Sequence, residues 1–161
     1  MLTFQELYEA HVDDVYRFAL SLARDRHQAE DITSETFVRA WARNDRIRTE
    51  TLRGYLFTIA RNLFLDGRRG SRRQATLDEA LVDPAPGPAE RSAAGAALDR
   101  AERVLRALPE ADRTAFLLRV QQDLPYAEIA RVLGISLVAA RVKVHRVRAR
   151  LIADRIGKEP S

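Results

Sequence analysis

LPYAEIARVLGISLVAARVKVHRVRARL, residues Leu124 to Leu151, decides the fold of this chain. Pro125 suits the first turn of a helix, where its missing N–H is not needed, and Ile129, Ala130 and Leu133 then form an apolar face. Gly134 ends that helix with a permissive backbone. The small side chain of Ala130 lets a second helix come close, and Ser136 is a good N-cap for it. That second helix carries Ala140, Val144, Val147 and Leu151 inward, at spacings of four, three and four. Arg141, Lys143, His145, Arg146, Arg148 and Arg150 lie on the remaining faces. The pattern is a helix-turn-helix over residues 126–145 whose second helix reads nucleic acid. The plainer alternative is a helical hairpin with a solvated basic face; the coincidence of Ala, Gly and N-cap spacing with a positive helix favours the reader. Val138 and Val142 fall opposite the inward stripe. They call for cover from a DNA groove, where valine methyls pack on thymine methyls or sugars, or from a protein partner.

Composition bounds the rest. With 161 residues, 46% hydrophobic and 31% charged, the chain suits one ordinary domain or two small ones. No run approaches the roughly 20 apolar residues a bilayer requires, and the N-terminal MLTFQELYEAHVDD is acidic and amphipathic, unlike a secretory signal. A cytoplasmic protein without membrane insertion is expected. There is no cysteine, and His11, His27 and His145 are scattered, so no metal is expected. No phosphate-binding glycine loop, metal spacing or nucleophile with a base is visible. The expectation is therefore a non-enzyme with no catalytic residues and no cofactor.

The formal net charge of +4 is unevenly spread. Arg61 to Arg73 holds five arginines and one aspartate, and Arg131 to Arg155 holds six Arg, one Lys and one Asp, whereas Gln74 to Asp99 has five carboxylates against Arg91 alone. That acidic stretch also contains Pro84, Pro86, Gly87, Pro88 and the run SAAGAA, the composition of a flexible linker. An all-α protein of two small helical domains follows: residues 1–73, a linker over 74–96, a second domain over 97–155 and a short tail over 156–161. Each domain is near the size at which a core barely suffices.

In the first domain Thr3 and Glu6 form a capping-box pattern, and Phe4, Leu7, Tyr8, Val12, Val15, Phe18, Ala19 and Leu22 recur at helical spacing to about Arg24. A second helix starts near Gln28 or Ala29, with Ile32, Thr36, Phe37, Ala40 and Trp41 on one side; Trp41 is expected in the core. After NDRIRTETLRG a third helix starts between Leu52 and Tyr55, runs through Leu56, Ile59, Ala60, Leu63 and Phe64, and ends in arginines. Its segment GYLFTIARNLFLDGRRGSRR combines an aromatic, an amide and a basic tail. Arginines hold phosphates, an aromatic ring or pocket holds an unstacked base, and Asn62 is placed to read a base edge. Alternatively Tyr55 packs in the core and Asn62 hydrogen-bonds a nearby loop.

AEDITSETFVRAWARN, GYLFTIARNLFLDGRR and LPYAEIARVLGISLVAARVKVHRVRARL together resemble the group IV, or extracytoplasmic-function, sigma factors of bacterial RNA polymerase. The three motifs occur in the family's order and at its spacings, over nearly the whole chain. The resemblance implies a first domain (sigma region 2) that binds the polymerase clamp helices and melts the minus-ten element. It implies a second (sigma region 4) that places a recognition helix in the major groove of the minus-thirty-five element. Partners would be core RNA polymerase, duplex and melted promoter DNA, and an anti-sigma protein that silences the factor; when active it would associate with the nucleoid.

Carried over by position, the resemblance places polymerase binding at Asp31, Ile32, Glu35, Phe37, Val38 and Arg39, although Phe37 also falls on the apolar side. Minus-ten binding would use Arg46, Arg48, Tyr55, Arg61, Asn62, Arg68 and Arg69. Minus-thirty-five binding would use Ser136, Leu137, Val138, Ala139, Arg141, Val142, Lys143, His145 and Arg146. Tyr55 stands where the family commonly has tryptophan, and Val138, Ala139 and Val142 occupy positions that often carry a small hydroxyl residue or glycine. The rival function is a free-standing helix-turn-helix regulator, which needs a ligand, receiver or dimerisation element in its N-terminal half.

Overall fold

The computed structural model describes residues 3–43, 49–75 and 93–158, and these hold seven α-helices, one short 3-10 helix and no strand. In order they are α1 (Phe4–Ala23), α2 (Arg26–Ala42), the 3-10 turn Thr49–Thr51, α3 (Leu52–Ala75), α4 (Ala93–Ala107), α5 (Glu110–Val120), α6 (Tyr126–Leu133) and α7 (Leu137–Lys158). The all-α expectation holds.

Local chemistry sets the helix ends. The Glu6 backbone N–H donates to Thr3 Oγ1 at 3.1 Å and the Thr3 N–H donates to Glu6 Oε2 at 3.2 Å, completing the capping box. Arg24 closes α1 in the left-handed region, with φ of 55°. Asp25 then caps α2 by accepting from His27 N at 2.9 Å and Gln28 N at 3.4 Å. This cap starts α2 at Arg26, before its apolar period begins, which is why the periodicity alone placed the start later. α3 continues past its basic exit to Ala75. At Gly67 an added Cβ would lie 3.2 Å from Gln28 Nε2, crowding only the tip of that flexible side chain.

The first half packs α1, α2 and α3 around aromatic contacts. Phe18 meets Phe57 edge-on at 5.0 Å and Tyr8 meets Phe37 at 5.1 Å, arrangements that add to simple burial. Trp41 is half-buried, 5.7 Å from the exposed Phe4 ring in an edge-to-face arrangement, and packs at the margin of the core rather than inside it. The buried hydroxyls of Thr33 and Thr36 donate to the carbonyls of Ala29 and Ile32, which leaves neither donor unsatisfied.

The second half buries Leu118 of α5, Ile129 of α6 and Ala140, Val144 and Val147 of α7. α4 starts at Ala93, inside the SAAGAA run whose composition suggested a tether; its alanines are strong helix formers once a neighbouring surface is available. Residues 76–92 of that acidic stretch lie outside the described residues, as do Arg46 and Arg48.

The halves are docked. One buried cluster runs from Leu7 and Phe18 through Leu56 and Phe57 to Leu118, Leu124 and Ile129, so each half gains core that it lacks alone. Polar contacts stitch the seam. Arg53 Nη2 donates to the Gln122 carbonyl at 3.0 Å, Gln122 Nε2 donates to the Asp14 carbonyl at 3.2 Å, and Gln121 Nε2 donates to Ser21 Oγ at 2.8 Å. Arg24 pairs with Glu102 at 2.6 Å.

Candidate nucleic-acid interface

The helix-turn-helix turns on Gly134, whose φ of 67° only glycine adopts without strain. Ile135 N donates to the Ala130 carbonyl at 3.0 Å and Gly134 N to the Arg131 carbonyl at 3.3 Å, the paired bonds that satisfy the end of α6. Ser136 Oγ accepts from Ala139 N at 3.1 Å, so this hydroxyl caps α7. Of the inward stripe, Ala140, Val144 and Val147 are fully buried and Leu151 is half-buried.

The outward face of α7 presents Leu137, Val138, Arg141, Val142, His145 and Arg146, all exposed, with Ala139 half-buried. Val138 is 69% exposed and Val142 39%, as the helical wheel required. Arg141 lies over the Tyr126 ring at 5.6 Å, and Arg119 over the same ring at 4.5 Å, so an aromatic of α6 helps to aim a cation of α7. Lys143 points elsewhere. Its Nζ donates to Asp112 Oδ1 of α5 at 2.8 Å, with side-chain exposures of 22% and 8%. Its charge therefore braces α7 against α5 rather than standing free on the outward face.

On α3 the candidate minus-ten residues form two rows of heptad spacing. Asn62 and Arg69 are exposed, while Tyr55, above them, is half-buried against the core. Arg61 and Arg68 form the neighbouring row and are half-buried. Arg61 is gripped by Glu110 of α5: Nε donates to Oε1 at 2.8 Å and Nη2 to Oε2 at 2.9 Å, with Thr114 Oγ1 also donating to Oε1 at 2.7 Å. Burial by itself would raise the Glu110 carboxyl. The hydrogen bonds from Arg61 and Thr114, with the charges of Arg61 and Arg113, outweigh it and hold the carboxyl below its ordinary value. Arg68 lies over the Phe64 ring at 5.7 Å.

α2 divides the candidate polymerase surface. Asp31, Glu35, Val38 and Arg39 are exposed on one stripe, where Arg39 Nε pairs with Glu35 Oε1 at 3.0 Å. Ile32 and Phe37 face the other way and are buried at 5% and 1% exposure, so they hold the helix in place and are not part of an available surface. Glu110 and Gln122 of the seam, and Asp112 that holds Lys143 within the second half, are not singled out by the sequence. Their signal, two carboxylates in the first turn after Pro109, is that of an ordinary helix start.

Comparison with known proteins matches residues 7–74 to the family Sigma-70 region 2 and residues 98–151 to Sigma-70, region 4. The extracytoplasmic-function sigma factor SigM of Bacillus subtilis (strain 168) is 32% identical, over 94% of each chain. The chain belongs to the extracytoplasmic-function sigma factors. A second member, SigE of Mycolicibacterium smegmatis (strain ATCC 700084 / mc(2)155), is 37% identical across all of this chain, which spans 64% of that relative's length. Among solved structures, the sigma factor RpoE in complex with the anti-sigma factor NepR from Bartonella quintana has a TM-score of 0.78 at 25% identity. The match covers 97% of this chain and 98% of that one. The match therefore extends over both halves of the chain.

Proposed function

We propose that this chain is an alternative sigma factor that binds core RNA polymerase and directs transcription initiation at promoters with defined minus-ten and minus-thirty-five elements. The observation that carries the proposal is the pairing, in one chain, of an exposed cationic and apolar face on α7 with the amide and arginine rows of α3. The family match supports it, and the relatives reported above are sigma factors, none of them a free-standing regulator. Among the described residues no group of side chains is arranged to hold a metal, and no helix is long and apolar enough to cross a membrane. The factor contributes binding and strand separation, and polymerase performs the chemistry.

In this proposal residues 1–73 act as region 2, 74–96 as the linker, 97–155 as region 4 and 156–161 as a tail. Asp31, Glu35, Val38 and Arg39 meet the polymerase. Asn62 and Arg69, with Arg46 and Arg48, which lie outside the described residues, meet the minus-ten strand. Leu137, Val138, Arg141, Val142, His145 and Arg146 meet the minus-thirty-five groove, with Ser136, Ala139 and Lys143 setting the pose of the helix. Arg61 and Arg68 join the phosphate contacts only after the halves part. Tyr55 walls the base pocket. Attachment to one polymerase lets two weak DNA-binding halves act together, since each raises the effective concentration of the other.

The factor works in the cytoplasm and on the nucleoid, and an anti-sigma partner of the kind seen with its structural relative holds it in reserve. Co-elution with purified core polymerase on a sizing column tests the first step. A stoichiometric complex, weakened by Val38→Asp, is expected; separate elution of the two proteins contradicts the proposal.

A further inference from the structure

A cleft of about 840 Å³ runs along the seam, walled by α1 and α3 on one side and α4 and α5 on the other. Four arginines line it: Arg24, Arg68, Arg106 and Arg113. Their acceptors are nearly exhausted. Arg24 pairs with Glu102 at 2.6 Å, and Glu110, the carboxylate beside Arg113, already accepts from Arg61 and Thr114. Among the described residues Arg113 Nε is shut off from solvent and has no hydrogen-bond partner. A buried donor left in that condition is costly, and like charges gathered in a partly dry cleft add to the cost. Burial and the charge of Arg68 push the Arg113 guanidinium down, Glu110 opposes them, and Arg106 and Arg24 push further in the same direction.

We propose that this cleft binds a polyphosphate anion through Arg68, Arg106 and Arg113. Guanidinium forks match phosphate oxygens two at a time, and a chain of phosphates supplies acceptors that the three cations do not find among the described residues. The volume lies within the range of small-molecule sites. Leu20 and Leu98, both exposed, provide an apolar floor beside the cations, a surface on which a nucleobase can rest. The walls come from both halves, so the anion binds the docked arrangement and stabilises it by mass action. This assignment does not depend on which promoter the factor reads.

Calorimetric titration of the full chain at constant ionic strength, with inorganic tripolyphosphate in one arm and ATP in the other, tests the site. Saturable binding of tripolyphosphate is expected, weakened about tenfold or more by Arg113→Gln and by Arg106→Glu. Arg106 is exposed on α4, so its variant keeps the fold and decides the matter if Arg113→Gln does not fold. Arg148→Glu, an exposed change on α7, should bind like the parent. ATP binding more tightly than tripolyphosphate assigns the site to a nucleotide and its apolar floor; equal binding assigns it to the phosphate chain alone. Absence of binding in both arms overturns the proposal, as does a loss caused by Arg148→Glu as large as that caused by Arg106→Glu.

Discussion

Arg61 of α3 and Glu110 of α5 close on each other through two hydrogen bonds of 2.8 and 2.9 Å, across 49 positions of sequence, with only 15% and 12% of their side chains exposed. This pair joins the two halves of the factor at a residue proposed to hold promoter phosphate; under that proposal docking and DNA binding compete for one guanidinium. Replacing Glu110→Gln keeps the shape and removes the charge. The contact should weaken by about 1–3 kcal/mol, read as lower energy transfer between dyes placed on α2 and α7. Unchanged transfer would show that the pair does not hold the halves together.

Acid should open the same contact. The Glu110 carboxyl sits below its ordinary value of 4.5 in the folded chain, so its stabilisation is complete above that pH and is lost as pH falls through the folded value. His11, beside the seam at Arg53, has the same sign: burial and the Arg53 charge lower it from 6.5 while Asp14 opposes them. Its contribution is complete above pH 6.5 and fades below. Energy transfer is therefore expected to fall in two steps on acidification, and Glu110→Gln should abolish the lower one only.

Arg141 and Lys143 should separate in their effects. Arg141 is exposed on the outward face of α7, and under the proposed role Arg141→Ala should weaken minus-thirty-five duplex binding while lowering its salt slope by about 1. Lys143→Ala leaves Asp112 buried and unpaired, so it should instead cost about 3 kcal/mol of stability in urea denaturation. Equal salt slopes for the Arg141 variant and the parent would mean that Arg141 does not touch phosphate.

The contrast between these two cations shows what could be read from the sequence. The stripe Ala140, Val144 and Val147, the exposure of Val138, the Thr3 capping box and the Gly134 turn were legible because each depends on neighbours within four residues or on helical period alone. Lys143 and Arg61 were not, since their partners Asp112 and Glu110 lie 31 and 49 positions away, and periodicity cannot say which cation a distant carboxylate will claim. The docking of the halves escaped for the same reason. An acidic, proline-rich connection implies freedom, and only the packed seam reveals the shared core.

Gly134→Ala should cost about 1–2 kcal/mol, because a side chain at φ of 67° is strained even though an added Cβ meets nothing within 4 Å. Chemical denaturation measures it. A smaller loss would mean that the turn relaxes to another conformation.

Asn62 is exposed on α3, and Asn62→Ala should leave the fold and duplex binding intact while impairing strand opening. Permanganate reactivity of the melted region reports this directly; unaltered reactivity would remove Asn62 from the base pocket.

Run-off transcription from a genomic template library with purified core polymerase, start sites being mapped with and without this protein, decides whether the chain selects promoters as a sigma factor. Transcripts from a defined set of promoters only when the protein is present are predicted. DNA binding without core polymerase, together with no gain in initiation, would contradict the account.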